Sequence, residues 1–462
     1  MYTPHTEADR EAMLKKIGVD SIEALFKDVP AEHRFPTLDL PEPLTEMEIM
    51  AELQEIASAN ETTRELISFL GAGAYNHYTP AAVDSLLRRG EFYTAYTPYQ
   101  PEISQGTLQA IFEYQSLVTA LTGMDVSNAS HYDGATAVAE AVNMAYANFR
   151  GKRLRVILSP AVHPHYRETV YTYQRGSDVV LVGATPDGFE IDPTAGPEDL
   201  IPLIDQDTAL VVVQYPDFFG RMYDYTKLAE AVHAAGALLA IAVNPMALGM
   251  FKTPGAMGAD IVTGEGQSLG LPLAYGGPYL GLFATRKEYV RKMAGRIVGE
   301  TVDNRGQRAY VLTLTAREQH IRREKATSNI CSNQGLMALA AGIYMSLLGK
   351  NGLRQVAELN FQKAHYAAQR LGSLPGFSLP YKETFFNEFV LRCPVPAEEI
   401  NDHLLEYGIL GGYNLSKEDY PDMENDLLVA VTEMNSREEI DLFADVLAEI
   451  DVEQTGAEVV HG

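Results

Sequence analysis

Apolar residues recur at helical spacing near the start of the chain. Met13, Leu14 and Ile17 make one apolar stripe, and Ile22, Leu25 and Phe26 another. Pro30, Pro36, Pro41 and Pro43 break the pattern, which resumes after Thr45 with Met47, Ile49, Met50 and Leu53. Residues 1–65 are therefore predicted to form an arm of amphipathic helices joined by a proline-rich link.

Beyond the arm the period changes. Ile103 to Leu121 reads as a long helix, and Asp133-Gly134-Ala135-Thr136 opens a second that runs to about Asn148. Short β-rich runs follow at 156–158, 179–182, 210–213, 238–243, 260–262 and 279–283, with helices predicted near 163–174, 225–235 and 286–296. Apolar strands alternating with helices imply a mostly parallel sheet covered on both faces. A helix pair, Asn333–Leu348 and Leu353–Leu371, leads into strands at 386–391, 409–415 and 427–432 and a helix at 396–407. Ser436-Arg437-Glu438-Glu439 has the form of a capping box for a last helix to Ile450. The predicted domains are an arm at 1–65, a large α/β domain at 66–345, a small α+β domain at 346–450 and an acidic tail at 451–462.

Composition narrows the function classes. The 462 residues are 46% hydrophobic and 21% charged, an ordinary globular balance. A net charge of -26 repels phosphate backbones and anionic lipid, which argues against binding nucleic acid or a membrane surface. Cys331 and Cys393 match no disulfide framework or metal-ligand spacing and suit a reducing cytosol. The first ten residues lack an apolar signal core, and apolar stretches such as Ala237–Val243 fall short of the ~20 residues a membrane helix needs. A soluble, cytoplasmic protein is expected.

An α/β domain with a mostly parallel central sheet, a long connecting helix and a small α+β domain is the layout of the type-I, aminotransferase-like pyridoxal phosphate enzymes. That cofactor needs a lysine for its Schiff base, an anion-binding helix N-terminus for its phosphate and a carboxylate for its pyridinium nitrogen. None of the three is in place. Asp133 precedes the helix at 134 and reads as its N-cap, repelling a phosphate. Val243-Asn244-Pro245 contains no acid, and no lysine lies between Lys252 and Lys287, where Gln267 holds the expected position. The domain reads as a pyridoxal phosphate fold without its own cofactor. His163-Pro164-His165 suits a helix start better than a metal pair, and no nucleotide-binding glycine motif occurs. Two polar segments stand out instead, 93–106 with its tyrosines and prolines and 316–331 with its cluster of cations.

Those segments carry a resemblance. YTAYTPYQPEISQG at 93–106, FLGAGAYNHYTP at 69–80 and TAREQHIRREKATSNICSNQ at 315–334 resemble the N-terminal half of the decarboxylating glycine dehydrogenases, the P-proteins of the glycine cleavage system. EADREAMLKKIGVDSIEALFKDVP at 7–30 is similar to the family's opening helices. Tyr132-Asp133-Gly134 departs from the long-chain members, which commonly have Asp-Glu there. The family occurs as one long chain of two homologous halves or as two subunits, and this length resembles the first subunit. The lysine belongs to the second half; alignment through Pro272 and Gly276-Gly277-Pro278 sets Gln267 opposite it, and alignment from upstream sets Ser268 there.

The resemblance implies a heteromer, expected as two copies of each subunit, in which the second subunit binds pyridoxal phosphate. Glycine would lose its carboxyl group as carbon dioxide, and the aminomethyl remnant would pass to the lipoyl arm of the H-protein. In folds of this type the neighbouring subunit completes the pocket. Lys325–Asn329 is expected at the N-terminus of the helix near Asn333, with Thr327, Ser328 and Asn329 reaching the partner's cofactor phosphate. Tyr96, Tyr99 and Gln100 are expected on the glycine and lipoyl side. No metal is expected. A structural scaffold subunit that only stabilises its partner and docks the carrier is the alternative, and a self-sufficient enzyme using Lys252 is a third reading.

Overall fold

A computed structural model describes residues 4–417 and 420–450, so the tail expected at 451–462 lies outside the described residues. The chain divides into two compact units, Met1–Glu61 and Thr62–Gly462. In the first unit Thr6 and Asp9 form a capping box that opens the helix Glu7–Ile17, and Thr45 and Glu48 do the same for Glu46–Ala57. Ile22, Leu25 and Phe26 fall in and beside a single 3₁₀ turn. No residue of these elements is buried, and Met47 is 80% exposed.

The second unit is built on strands β1 (Ile67–Ser68), β2 (Val126–Ser127), β3 (Arg155–Leu158), β4 (Val180–Thr185), β5 (Gly188–Phe189), β6 (Thr208–Tyr215), β7 (Leu238–Val243), β8 (Ile261–Glu265) and β9 (Gly281–Thr285). Eight of them form one sheet in the order β2-β9-β8-β7-β6-β3-β4-β5. The central five run parallel, and β9, β2 and β5 add antiparallel edges. Every residue of β7 is buried, and its side chains alternate between two cores. Leu239, Ile241 and Val243 pack with the helices Gln105–Thr122 and Thr226–Ala234, whereas Leu238, Ala240 and Ala242 pack with Gly134–Asn148 and Pro164–Gln174. This two-sided burial is why the strands read as continuous apolar runs.

The helix expected near 286–296 does not form. A single 3₁₀ turn, Lys287–Tyr289, is followed by a hairpin of β10 (Ile297–Val302) and β11 (Arg308–Thr313). Distant side chains take the carbonyls a helix would have used: Arg317 binds those of Met293 and Gly295, and Asn128 binds that of Ala294.

The small sheet comprises β12 (Glu388–Arg392), β14 (Tyr413–Asn414) and β15 (Asp426–Ala430), with β13 (Ile409–Leu410) pairing instead with β1. The strand expected at 409–415 is thus divided at Gly411-Gly412 between two partners. The helices Ala397–Glu406 and Arg437–Leu447 cover it, the second opened by the Ser436–Glu439 capping box. The expected helix pair is present within Gly335–Gly372, its two helices separated at Gly349 by φ 58° and ψ -175°. By length and composition this span contains a stretch apolar enough to cross a membrane, contrary to the expectation that no stretch reaches that length. Here Ala338, Ala340, Ala341 and Tyr344 are buried in the large core.

Candidate functional site

Two places hold the chemistry: the C-terminal end of β8, and the loops around the start of β10. At the first, Glu265 ends β8 and accepts three backbone N–H groups. Gly134 donates to one oxygen at 2.9 Å; Gln267 at 3.0 Å and Leu280 at 2.9 Å donate to the other. Burial pushes its carboxyl up to about 8, against the pull of those N–H donors. Asp133 takes the Thr136 N–H at 2.7 Å as the expected N-cap. Side-chain carboxyls therefore engage the helix N-terminus where a cofactor phosphate would bind.

Gln267 is fully buried and uses its whole amide. Nε2 donates to the Tyr75 carbonyl at 2.9 Å and the Leu271 carbonyl at 2.8 Å, and Oε1 accepts the Tyr75 N–H at 2.9 Å. Ser268, the alternative at this position, is also buried, and its hydroxyl has no partner among the described residues. Tyr75 in turn donates from its hydroxyl to Glu388 at 2.5 Å, and Glu388 also accepts the Ala72 N–H at 2.7 Å. His163 caps the helix Pro164–Gln174 through Nδ1, so Nε2 carries the proton and donates to the Ala72 carbonyl at 2.8 Å. Burial pulls that imidazole down to about 4, which keeps it neutral.

What remains between Tyr75, His163, Tyr166, Asn244, Glu265 and Ser268 is a cavity of about 30 Å³, room for a water or two. A Cβ at Gly134 would already collide with the Tyr166 hydroxyl. These residues do not fit pyridoxal phosphate: they offer no amine, no pyridinium carboxylate, an occupied helix terminus and no room. Lys252 gives no support to the third reading, because its Nζ donates to Asp224 at 2.9 Å and Thr226 at 2.8 Å in an exposed ion pair.

The second place joins the two segments singled out in the sequence. Arg296, 3% exposed, donates from Nη1 to Asn333 Oδ1 at 3.2 Å and from Nη2 to the Cys331 carbonyl at 2.5 Å and the Tyr99 hydroxyl at 3.3 Å. The Tyr99 ring lies 5.7 Å from the guanidinium and 5.9 Å from the His320 ring. Tyr99 and Gln100 are exposed, while Tyr96, also exposed, lines a groove of about 190 Å³ with Phe92, Ile111 and Leu336.

Thr327, Ser328 and Asn329 line a neighbouring groove of about 490 Å³ with His131, Thr136 and Glu140. They were expected at the N-terminus of the long helix but lie several residues ahead of it. That helix starts at Gly335, and the irregular segment before it is drawn aside by Asn333 bonding to Arg296 and by the Gln334 N–H donating to Ser130 Oγ at 3.1 Å. Ser328 Oγ donates to buried Glu140 at 2.5 Å and accepts the Ile330 N–H at 3.0 Å. Arg296, Glu140 and Tyr166 were not found from the sequence, since no periodicity or spacing marks them. Glu265 sat within the stretch searched for a lysine, where its own carboxyl was the signal.

Fold and site together define a member of the type-I pyridoxal phosphate fold class whose own cofactor pocket is closed. At the level of fold the chain is similar to a sphingosine-1-phosphate lyase from Burkholderia pseudomallei, at 16% identity and a TM-score of 0.63 over 92% of this chain and 95% of that one. It is much more similar to a crystal structure of the glycine decarboxylase (P-protein) of the glycine cleavage system in inhibitor-bound form. There the identity is 42% and the TM-score 0.88, over 97% of this chain and 99% of that one. Residues 1–447 match the family model of the glycine cleavage system P-protein. A probable glycine dehydrogenase (decarboxylating) subunit 1 from Thermomicrobium roseum is 52% identical over 97% of this chain and 99% of its own. One from Desulforamulus reducens is 53% identical with the same coverage. The chain belongs to the glycine cleavage system P-protein family.

Proposed function

We propose that this chain is the first subunit of a two-subunit decarboxylating glycine dehydrogenase, and that its lysine-bearing second subunit holds the pyridoxal phosphate. That group, when bound, supplies the electron sink for loss of the glycine carboxyl group as carbon dioxide. The aminomethyl remnant passes to the lipoyl arm of the H-protein. The closed pocket around Glu265 and Gln267 carries this reading: a chain of this family and fold with no room for the cofactor acts by completing its partner's site.

This chain's residues bind, orient and exclude water. Thr327 and Asn329 present a hydroxyl and an amide toward the partner's cofactor phosphate, from the groove they line. Ser328, whose proton already goes to Glu140, holds that segment in place rather than contacting the anion. Tyr96, Tyr99 and Gln100 face glycine and the lipoyl arm, orienting a carboxylate or thiolate without adding charge. The assembly is two copies of each subunit, an obligate interface of ~2,000–5,000 Å², and it works in the cytoplasm, in keeping with two cysteines that form no disulfide.

The test is to prepare the chain alone and with the second subunit, add pyridoxal phosphate, and reduce with borohydride. Label is expected only on the second subunit, and glycine–bicarbonate exchange only with both. Label on a lysine of this chain overturns the reading. The scaffold alternative, also compatible with a closed pocket, predicts that variants at Tyr99 and Thr327 leave exchange untouched.

A further inference from the structure

Arg296 lies immediately before β10, beneath an exposed loop. Its guanidinium reaches two segments far apart in sequence: Tyr99 in the tyrosine-rich loop, and the stretch ahead of the long helix, where it meets Cys331, Asn333 and buried Glu318, whose carboxylate is 3.8 Å from Nε. Glu318 balances the buried charge but is too distant for a hydrogen bond, and Nε has no hydrogen-bond partner among the described residues. The hydrogen-bonding reach of this buried cation is therefore directed at the loops. A lysine could not serve both at once, because only the planar fork donates in two directions from one fixed plane.

Tyr99 is 52% exposed, a large ring at the surface whose orientation would ordinarily be free. Here Arg296 Nη2 donates to its oxygen and the guanidinium packs near its ring. Because the oxygen accepts from Arg296, the phenol's own proton remains available to donate outward, toward a carboxylate or a thiolate. Pro98, which is buried, and Pro101 stiffen the backbone on either side.

We propose that Arg296 is a positioning residue for the reaction: it fixes the orientation of the Tyr99 hydroxyl and so sets the donor that Tyr99 offers to the substrate. The inference rests on the reading above that Tyr99 faces glycine and the lipoyl arm. Arg296 itself touches no substrate.

The experiment uses the assembled two-subunit complex with H-protein and compares Arg296→Lys, Tyr99→Phe and the double variant by glycine–bicarbonate exchange. Each single variant is expected to raise KM for glycine or lower exchange about tenfold, with the double variant no worse than the weaker single. Affinity for pyridoxal phosphate, followed by absorbance titration, is expected to stay unchanged. A purely structural Arg296 predicts losses that add in the double variant, or a parallel loss of cofactor affinity, and either result overturns the proposal. Tyr99→Phe without effect overturns the reading of Tyr99 and the inference with it. An effective Tyr99→Phe beside a silent Arg296→Lys overturns the positioning role alone. Should Arg296→Lys not assemble, Arg296→Gln with Glu318→Gln removes both buried charges together and is read in the same way.

Discussion

Gln267 grips Tyr75 by both of its backbone polar groups, donating to its carbonyl and accepting its N–H, each at 2.9 Å. The amide forms a clasp between the end of β8 and the segment 69–78, at the position that, with Ser268 as the alternative, the resemblance sets opposite the second half's lysine. Removing the amide by Gln267→Ala leaves the Tyr75 N–H and two carbonyls buried without partners. The expected loss is about 3 kcal/mol in urea unfolding. Gln267→Lys is expected not to recruit pyridoxal phosphate, because Glu265 and Tyr166 still fill the pocket; borohydride trapping on the variant is the check.

Thr327 and Ser328 are adjacent but are expected to behave differently. Ser328→Ala removes the hydrogen bond to Glu140 and should cost about 1–2 kcal/mol of stability, with cofactor affinity changed only through the looser segment. Thr327→Val should leave stability within about 0.5 kcal/mol and weaken pyridoxal phosphate binding by the complex. Thermal unfolding and cofactor titration of both variants separate the two roles, and equal behaviour in both assays contradicts the assignment.

Burial pushes the Glu388 carboxyl up to about 7 from an ordinary 4.5, against hydrogen bonds from Tyr75 and Ala72. A folded value above the unfolded one means the group's contribution is fully present below pH 4.5 and is lost as pH rises through about 7. Glu265 acts in the same direction, through about 8. These two carboxyls therefore favour a decline in stability across this range, which His163 and His131, pulled down by burial to about 4 and about 3, oppose below their ordinary value of 6.5. Glu388→Gln, whose amide can still accept from Ala72 and donate to Tyr75, should make the decline shallower by about 3 kcal/mol. An unchanged slope in denaturation curves at pH 5 and 8 contradicts this account.

Gly349 breaks the long helix with a backbone conformation that is essentially reserved for glycine, and a Cβ there would meet nothing within 4 Å. Gly349→Ala thus tests conformation without any steric clash. It should destabilise the chain by about 1–3 kcal/mol, read as a shift in urea midpoint with the slope unchanged.

What the sequence revealed and what it hid divide along the range of the interactions. β6, β7 and the helix from Gly134 were legible because apolar runs and caps are local signals; Asp133 and Thr136 are three residues apart. The missing lysine was legible as an absence. The means by which the pocket closes was not, because Gly134 bonds to Glu265 across 131 residues and Tyr75 to Gln267 across 192. The same holds for β10, where Arg317 overrides a helical pattern more than twenty residues before it. Thr327 and Ser328 line one groove, and the irregular segment between them and Gly335, where Asn333 bonds to Arg296 and Gln334 to Ser130, carries no local signal.

The clasp at Gln267 also bears on ancestry. If the two halves of this family descend from one cofactor-binding parent, the lysine's loss here is hard to reverse. Once an amide holds the backbone of a residue on another segment, an amine in its place breaks three hydrogen bonds before it regains any chemistry. Glu265 and Tyr166 would have to retreat in the same lineage. Each intermediate along that path leaves buried polar groups without partners, at a cost in folding stability. Under the proposed function, the division of labour between the two subunits is then maintained by the folding stability of this one.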